Sequence, residues 1–430
     1  MREGTRRHGG LQYAAVAMAA VLACAKTEDS AVPAMSRVRA GIDVLLEDSL
    51  ALVQNVRVGL ITNQTGIAGD GRTTAEVLAS AARVRLIALF SPEHGIQGTA
   101  APGERIADTV DVTTGLPIRS LDRGTGRAMP IRSLYGDTRK PTPAMLEDVD
   151  VLVFDIQDVG ARYYTYVWTM ALAMQSAAEL GKRFVVLDRP DPIGGDRIAG
   201  NVLDPAFASF VGLYPVPMRH GMTAGEMARL INAEFNVGAD LTVVPMKGWH
   251  RSDWFDATGL SWVAPSPNMP DLESAASYPG TCLFEGTNLS VGRGTTRPFQ
   301  QIGAPWLDAT SLTPVLDALQ LPGVRFETVE FTPASPGDGK YDGVRLNGIR
   351  FIVTDRGLYD PVATALTVLI SIRTAQSGAL VFNNGFDRLA GTDALRLSIE
   401  RGMSAQSIVD GWEADLAKFD TLRRRYLLYD

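Results

Sequence analysis

Short, nearly all-apolar runs alternate with helix-periodic stretches through the first 250 residues, and this alternation restricts the chain to a layered α/β architecture. Residues 56–62 (VRVGLIT), 84–90 (VRLIALF), 151–156 (VLVFDI), 183–188 (RFVVLD) and 241–246 (LTVVPM) read as strands too apolar to face water on either side. Between them, a helix pattern starts at Thr73, and residues 166–180 carry apolar side chains at three- and four-residue spacing. Residues 223–235 form another predicted helix, with Thr223 as N-cap and Glu226 completing a capping box. The expectation is a Rossmann-like, mostly parallel sheet covered on both faces.

At 430 residues the chain exceeds a usual single core. Its texture changes near residue 255. Segments 264–270 (APSPNMP) and 278–298 are rich in Pro, Gly and Thr and carry few helix signals. Strand candidates follow at 324–331 and 343–354, and helices at 361–376 and 405–426. This predicts a catalytic domain over 39–255 and a smaller α+β domain over 256–430 that completes a cleft. One internal repeat stands out, since Pro117-Ile118-Arg119-Ser120-Leu121 recurs as Pro130-Ile131-Arg132-Ser133-Leu134. It reads as a local duplication in an exposed loop, because lengthening a loop costs little.

The amino terminus reads as a targeting segment. Arg2, Arg6 and Arg7 precede a short apolar stretch over 11–23, too short for a comfortable membrane span, so residues 1–24 are expected to be a signal peptide. Val21-Leu22-Ala23-Cys24 resembles a lipobox, with Cys24 lipidated. Simple secretion is the alternative, since Ala23-Cys24-Ala25 also fits a small-x-small cleavage site. Residues 25–38 read as a tether. The expected location is therefore periplasmic or at the cell surface, with membrane contact only through the lipid anchor. Cys24 and Cys282 are the only cysteines, which excludes a disulfide framework and makes Cys282 a small buried residue. A net charge of −7 with no long basic run argues against nucleic acid as a partner.

Ligands of open parallel sheets bind beyond the carboxyl ends of the strands. Polar residues gather there repeatedly: Asn63 after the first strand, Glu93 and His94 after the second, and Asp155, Gln157 and Asp158 after the third. Asp188, Arg189 and Asp191 follow the fourth. Arg162, Tyr163, Tyr164 and Tyr166 extend the loop after Asp158. Caps and turns use the same residue types, so position alone does not make each of them functional. Ser91-Pro92-Glu93-His94-Gly95 is the sharpest element: a carboxyl beside an imidazole suits proton transfer, and desolvation lets a carboxyl keep its proton toward neutrality. The alternative makes Glu93 a helix-capping acid and His94 a packed ring.

Gly66-Ile67-Ala68-Gly69-Asp70-Gly71-Arg72-Thr73 mimics a phosphate-binding loop, and residues 151–155 mimic its acidic strand. Arg72 stands where that motif needs Lys, and the two are not interchangeable there. Gly292-Arg293-Gly294 lacks the strand-to-helix context of a dinucleotide fingerprint. No H-E-x-x-H or G-x-S-x-G segment occurs, which disfavours a zinc protease or serine esterase.

Seven blocks now stand in order. The first four are Asn63-Gln64-Thr65-Gly66, Ser91–Gly95, Asp155–Tyr166 (DIQDVGARYYTY) and Asp188-Arg189-Pro190-Asp191-Pro192. Arg219-His220-Gly221-Met222-Thr223 and Pro265-Ser266-Pro267-Asn268-Met269-Pro270 follow, and the last is Glu285-Gly286-Thr287-Asn288 with Ser290-Val291-Gly292-Arg293-Gly294. From residue 39 onward the chain resembles the NamZ-type exo-β-N-acetylmuramidases, formerly a domain of unknown function. The resemblance implies release of terminal β-linked N-acetylmuramic acid from the non-reducing ends of peptidoglycan-derived muropeptides, with no cofactor and no metal. It makes Glu93 the candidate acid and His94 its neighbour in tuning or orientation. Asp155, Asp158 or Glu285 could supply a second carboxylate, or the substrate's acetamido group could participate. Arg162 or Arg293 would clamp the lactyl carboxylate, and Tyr163, Tyr164 and Tyr166 would meet sugar faces. The blocks also offer Asn63, Gln157, Asp188, Arg189, His220, Asn268 and Asn288 as cleft residues. The rival readings are a non-catalytic muropeptide-binding lipoprotein and a cell-wall esterase or amidase.

Overall fold

The computed structural model describes residues 38–100, 104, 109–110, 117–120 and 139–430. The expected signal peptide, Cys24, the tether up to residue 37 and the second copy of the repeat lie outside the described residues. Val38, counted above with the tether, is buried against Met246 and Trp249.

Seven strands make the main sheet: β1 (Arg57–Thr62), β2 (Arg85–Ser91), β3 (Thr109–Val110), β4 (Pro117–Ser120), β5 (Val151–Asp155), β6 (Arg183–Leu187) and, after a separate hairpin of β7 (Ala199–Val202) and β8 (Pro217–Arg219), β9 (Asp240–Val244). Their order is β3-β4-β2-β1-β5-β6-β9, and every pairing is parallel except that of β3 with β4. Every residue of β5 is buried, as its unbroken apolar run requires of a central strand. The chain leaves β1 toward β2 on one side and returns to β5 on the other, so the sheet reverses its winding at β1. That switch point opens a crevice at the carboxyl edge.

The first copy of the repeat is not a loop. Its first four residues are β4, paired in parallel with β2 through Leu89 with Ile118 and Ser91 with Ser120. The capping box at Thr223 forms as the spacing predicts and opens the helix Ala224–Glu234. The phosphate-loop lookalike ends instead in an ordinary capping box at Thr73, with Arg72 paired to Asp70 on the surface.

β10 (Gln301–Ala304), β11 (Val324–Phe331) and β12 (Leu346–Val353) form an antiparallel sheet in the order β10-β12-β11. A helix that the sequence reading did not mark, Leu272–Thr281, lies between the two Pro- and Gly-rich segments and enters the second; it runs through Pro279 and is buried over most of its length. Burial against the helix Pro361–Ala375, with Gly280 against the Pro361 carbonyl, outweighs the local cost of proline and glycine. The stretch 405–426 is two helices, Ala405–Asp410 and Glu413–Arg423, separated at Gly411. A single apolar cluster runs from one face of the main sheet through Tyr278, Phe299 and Leu389 into this second half. The chain end returns to the first half, where Tyr429 donates to Asp188 and Arg423 holds the Gly195 and Gly221 carbonyls.

Candidate active site

The turn after β2 carries the site. Pro92 sets it, Gly95 N donates to the Pro92 carbonyl, and His94 adopts φ +69°, a left-handed conformation uncommon outside glycine. That backbone is held from two sides: Ala100 N donates to the His94 carbonyl, and the ring's Nδ1 lies 2.7 Å from the Ala100 carbonyl oxygen. A carbonyl only accepts, so Nδ1 carries the proton, and a neutral ring presents Nε2 as its acceptor. Glu93 Oε2 accepts a 2.7 Å hydrogen bond from Thr165 Oγ1, at the start of the helix Tyr166–Glu179.

Glu93 and His94 open on a cavity of about 180 Å3. Tyr163, Tyr164, Thr165 and Tyr166 come from the segment after β5, and Ser266, Asn268 and Met269 from the proline-rich link. Tyr278, Cys282, Glu285, Arg293, Phe299 and Leu389 close it from the second half, with Val211 at the side. The tyrosines are interlocked: Tyr164 stands edge-on to both Tyr166 and Tyr278, and Tyr278 edge-on to Phe299. Tyr163 donates to the Pro279 carbonyl and Tyr166 to the Pro265 carbonyl. Burial pushes all three phenols of the 163–166 segment up, so they stay protonated.

Arg293 Nε pairs with Glu285 Oε1, and its guanidinium lies 5.1 Å from the Phe299 ring centre. Its terminal nitrogens make no hydrogen bond to the described residues. Cys282 is free and buried within the same wall, its thiol pushed well up by burial.

Eight residues expected from sequence thus line one cavity: Glu93, His94, Tyr163, Tyr164, Tyr166, Asn268, Glu285 and Arg293. The others do not. Asp155 is fully buried, bridged to Arg189 at 2.5 and 2.9 Å and bonded by Thr74. Asp188 accepts from Gly225 N, Thr223 and Tyr429, and burial pushes its carboxyl up to about 6. Gln157 spans the Asp158 and Pro190 carbonyls, Asn63 closes its own turn onto Thr65, and Asn288 binds Ala379 and Val381. Asp158 and His220 face one another at 3.7 Å beside buried Asp191, outside the cavity wall. Arg162 is the largest departure. Its guanidinium is buried, its terminal nitrogens are committed to the carbonyls of Asn201, Val216, Leu389 and Ala390, and it does not line the cavity. Desolvation lowers its pKa to about 10.

Tyr278 and Phe299 were missed. Neither stands at a strand end, and only the packing of the second half brings them to the tyrosines of the first.

Two family models cover the chain, the N-terminal and C-terminal parts of exo-β-N-acetylmuramidase NamZ, over residues 58–273 and 276–429. The chain belongs to the NamZ family. A curated relative, the peptidoglycan β-N-acetylmuramidase NamZ of Bacillus subtilis strain 168, is 46% identical over 395 residues, 91% of this chain and 92% of that protein. Two crystal structures of DUF1343 family proteins from Bacteroides fragilis share the fold. One has a TM-score of 0.82 at 36% identity and the other 0.71 at 32%, each over 92% of this chain and 99% of the other. Every block quoted above falls within the matched spans, and the junction at 274–275 falls inside the helix that carries Tyr278.

Proposed function

We propose that this chain is an exo-acting glycoside hydrolase that releases terminal β-linked N-acetylmuramic acid from the non-reducing ends of peptidoglycan fragments. One observation carries the reading: a single cavity joins a hydrogen-bonded carboxyl, Glu93, to a wall of aromatic rings and to one arginine with uncommitted donors, Arg293.

Glu93 protonates the departing glycosidic oxygen as the C1–O bond breaks. Thr165 fixes the carboxyl's orientation. Arg293 binds the lactyl carboxylate through its terminal nitrogens. Glu93 and Glu285 are the carboxylates among the described residues of the wall, and Glu285 is tied to Arg293. This supports attack on C1 by the substrate's own acetamido oxygen. Water then opens that intermediate at C1 and returns its proton to Glu93, with retention at C1.

Digestion of defined muropeptides followed by mass spectrometry tests the activity: free N-acetylmuramic acid is the expected product. Intact glycan with altered peptide or ester groups would instead favour an amidase or esterase, and binding without turnover a non-catalytic receptor. Early NMR spectra are expected to show the β anomer first, and the α anomer first would overturn acetamido participation. The basic and apolar run before Cys24 supports export and lipidation at that cysteine. Labelling with a fatty-acid analogue, lost in Cys24→Ala, is the expected outcome.

A further inference from the structure

The segment that carries Glu285 and Arg293 is held by a lysine distant in sequence. Lys340 lies in the connection between β11 and β12, more than 50 residues away along the chain. Its Nζ stands 2.9 Å from the Glu285 carbonyl oxygen, 2.7 Å from that of Thr287, 2.9 Å from that of Leu289 and 3.5 Å from that of Phe284. An ammonium has three hydrogens, so three short bonds saturate it. The same connection adds two more holds: Tyr341 donates to the Asn288 carbonyl, and Ala334 N donates to that of Gly294.

No carboxylate pairs with Lys340 among the described residues. Burial lowers its pKa, against the pull of Asp338 and Glu285. A cation desolvated on carbonyl dipoles alone is costly. A turn needing donors could be capped by neutral groups, as Asn383 Nδ2 already does at the Glu285 carbonyl. We infer that Lys340 is a positioning residue: it fixes the backbone on either side of Glu285 so that the Glu285–Arg293 pair presents Arg293 to the carboxylate of the bound sugar, and thereby sets affinity for acidic rather than neutral N-acetylhexosamines. The inference rests on the assignment of Arg293 to the lactyl group.

The test is Lys340→Met in the full chain, read by KM and kcat on a chromogenic N-acetylmuramide and by inhibition with free N-acetylmuramic acid and N-acetylglucosamine. Expected are a rise in KM of about 10-fold or more, from a weakened charge-assisted contact, and a kcat within about threefold of wild type. Inhibition by N-acetylmuramic acid weakens in proportion, and that by N-acetylglucosamine does not. An unchanged KM, a loss in kcat alone, or equal weakening toward both sugars would overturn the inference. If Lys340→Met does not fold, Lys340→Arg takes its place, because a planar fork cannot serve three converging carbonyls; it too should raise KM, and a wild-type KM would overturn the inference. Arg293→Ala separates the two levels. If it leaves the preference for the acidic sugar intact, the lactyl assignment fails; if it abolishes that preference while the Lys340 variant keeps it, only the positioning role fails.

Discussion

Thr165 Oγ1 donates to Glu93 Oε2 at 2.7 Å, joining the turn after β2 to the start of the helix that follows β5. These two connections flank the sheet's switch point, so the acid is oriented by the feature that opens the crevice. Thr165 makes no capping bond to its own helix, and its hydroxyl serves Glu93 instead. Thr165→Val should lower kcat about 10-fold, the worth of one hydrogen bond to a charged or reacting group, with KM little changed. Thr165→Ser should retain most of the activity. Equal rates for the valine variant and wild type in steady-state assays would deny Thr165 this part.

The alternation of strands and helices was legible because it is local: runs such as residues 151–155 bury both faces, and caps such as Thr223 with Glu226 announce themselves by spacing. Glu93 and the tyrosine segment were legible as residues beyond strand ends. What sequence could not show is which way a polar residue at a strand end faces. Asp155 and Arg189 occupy the right places and are spent on each other, because a buried charge must find its partner, and Asp188 is spent on hydrogen bonds from Gly225 N, Thr223 and Tyr429. Arg162 is a candidate clamp only through its place in the matching block 155–166, and its four carbonyl partners come from segments up to 228 residues distant. The strand at Pro117–Ser120 was hidden by its duplicate, since two identical segments give no local reason to choose one as structure.

Asp155→Asn should destabilise without disarming. It leaves Arg189, 5% exposed, without its counter-charge, a loss of about 3–5 kcal/mol. Urea denaturation should show a lower midpoint, while turnover per folded molecule stays within about threefold of wild type, as for a group that touches no substrate. A folded variant with its activity gone would return Asp155 to the chemistry.

Stability should fall as pH rises toward neutrality. Burial pushes Asp191 up to about 7, opposed by His220 and Arg219 and aided by Asp158, and pushes Asp188 up to about 6. Both lie above the ordinary 3.8, so the fold favours the protonated forms. Their contribution is complete below about pH 4 and lost as pH climbs through 6 and 7. The loss for Asp191 is on the order of 2–4 kcal/mol. Unfolding free energies from urea titrations between pH 4.5 and 7.5 should decline, and Asp191→Asn should flatten the slope, leaving the part due to Asp188. A variant with the wild-type slope would contradict this.

The central claim is that Glu93 delivers the proton that breaks a muramidic bond. Its most direct test is the turnover of a chromogenic N-acetylmuramide by Glu93→Gln beside wild type. The amide keeps size and hydrogen bonding but cannot donate that proton, so kcat should fall by about 10²–10⁴-fold while the melting temperature and KM stay close to wild type. A Glu93→Gln enzyme that keeps a tenth or more of wild-type kcat would contradict the account.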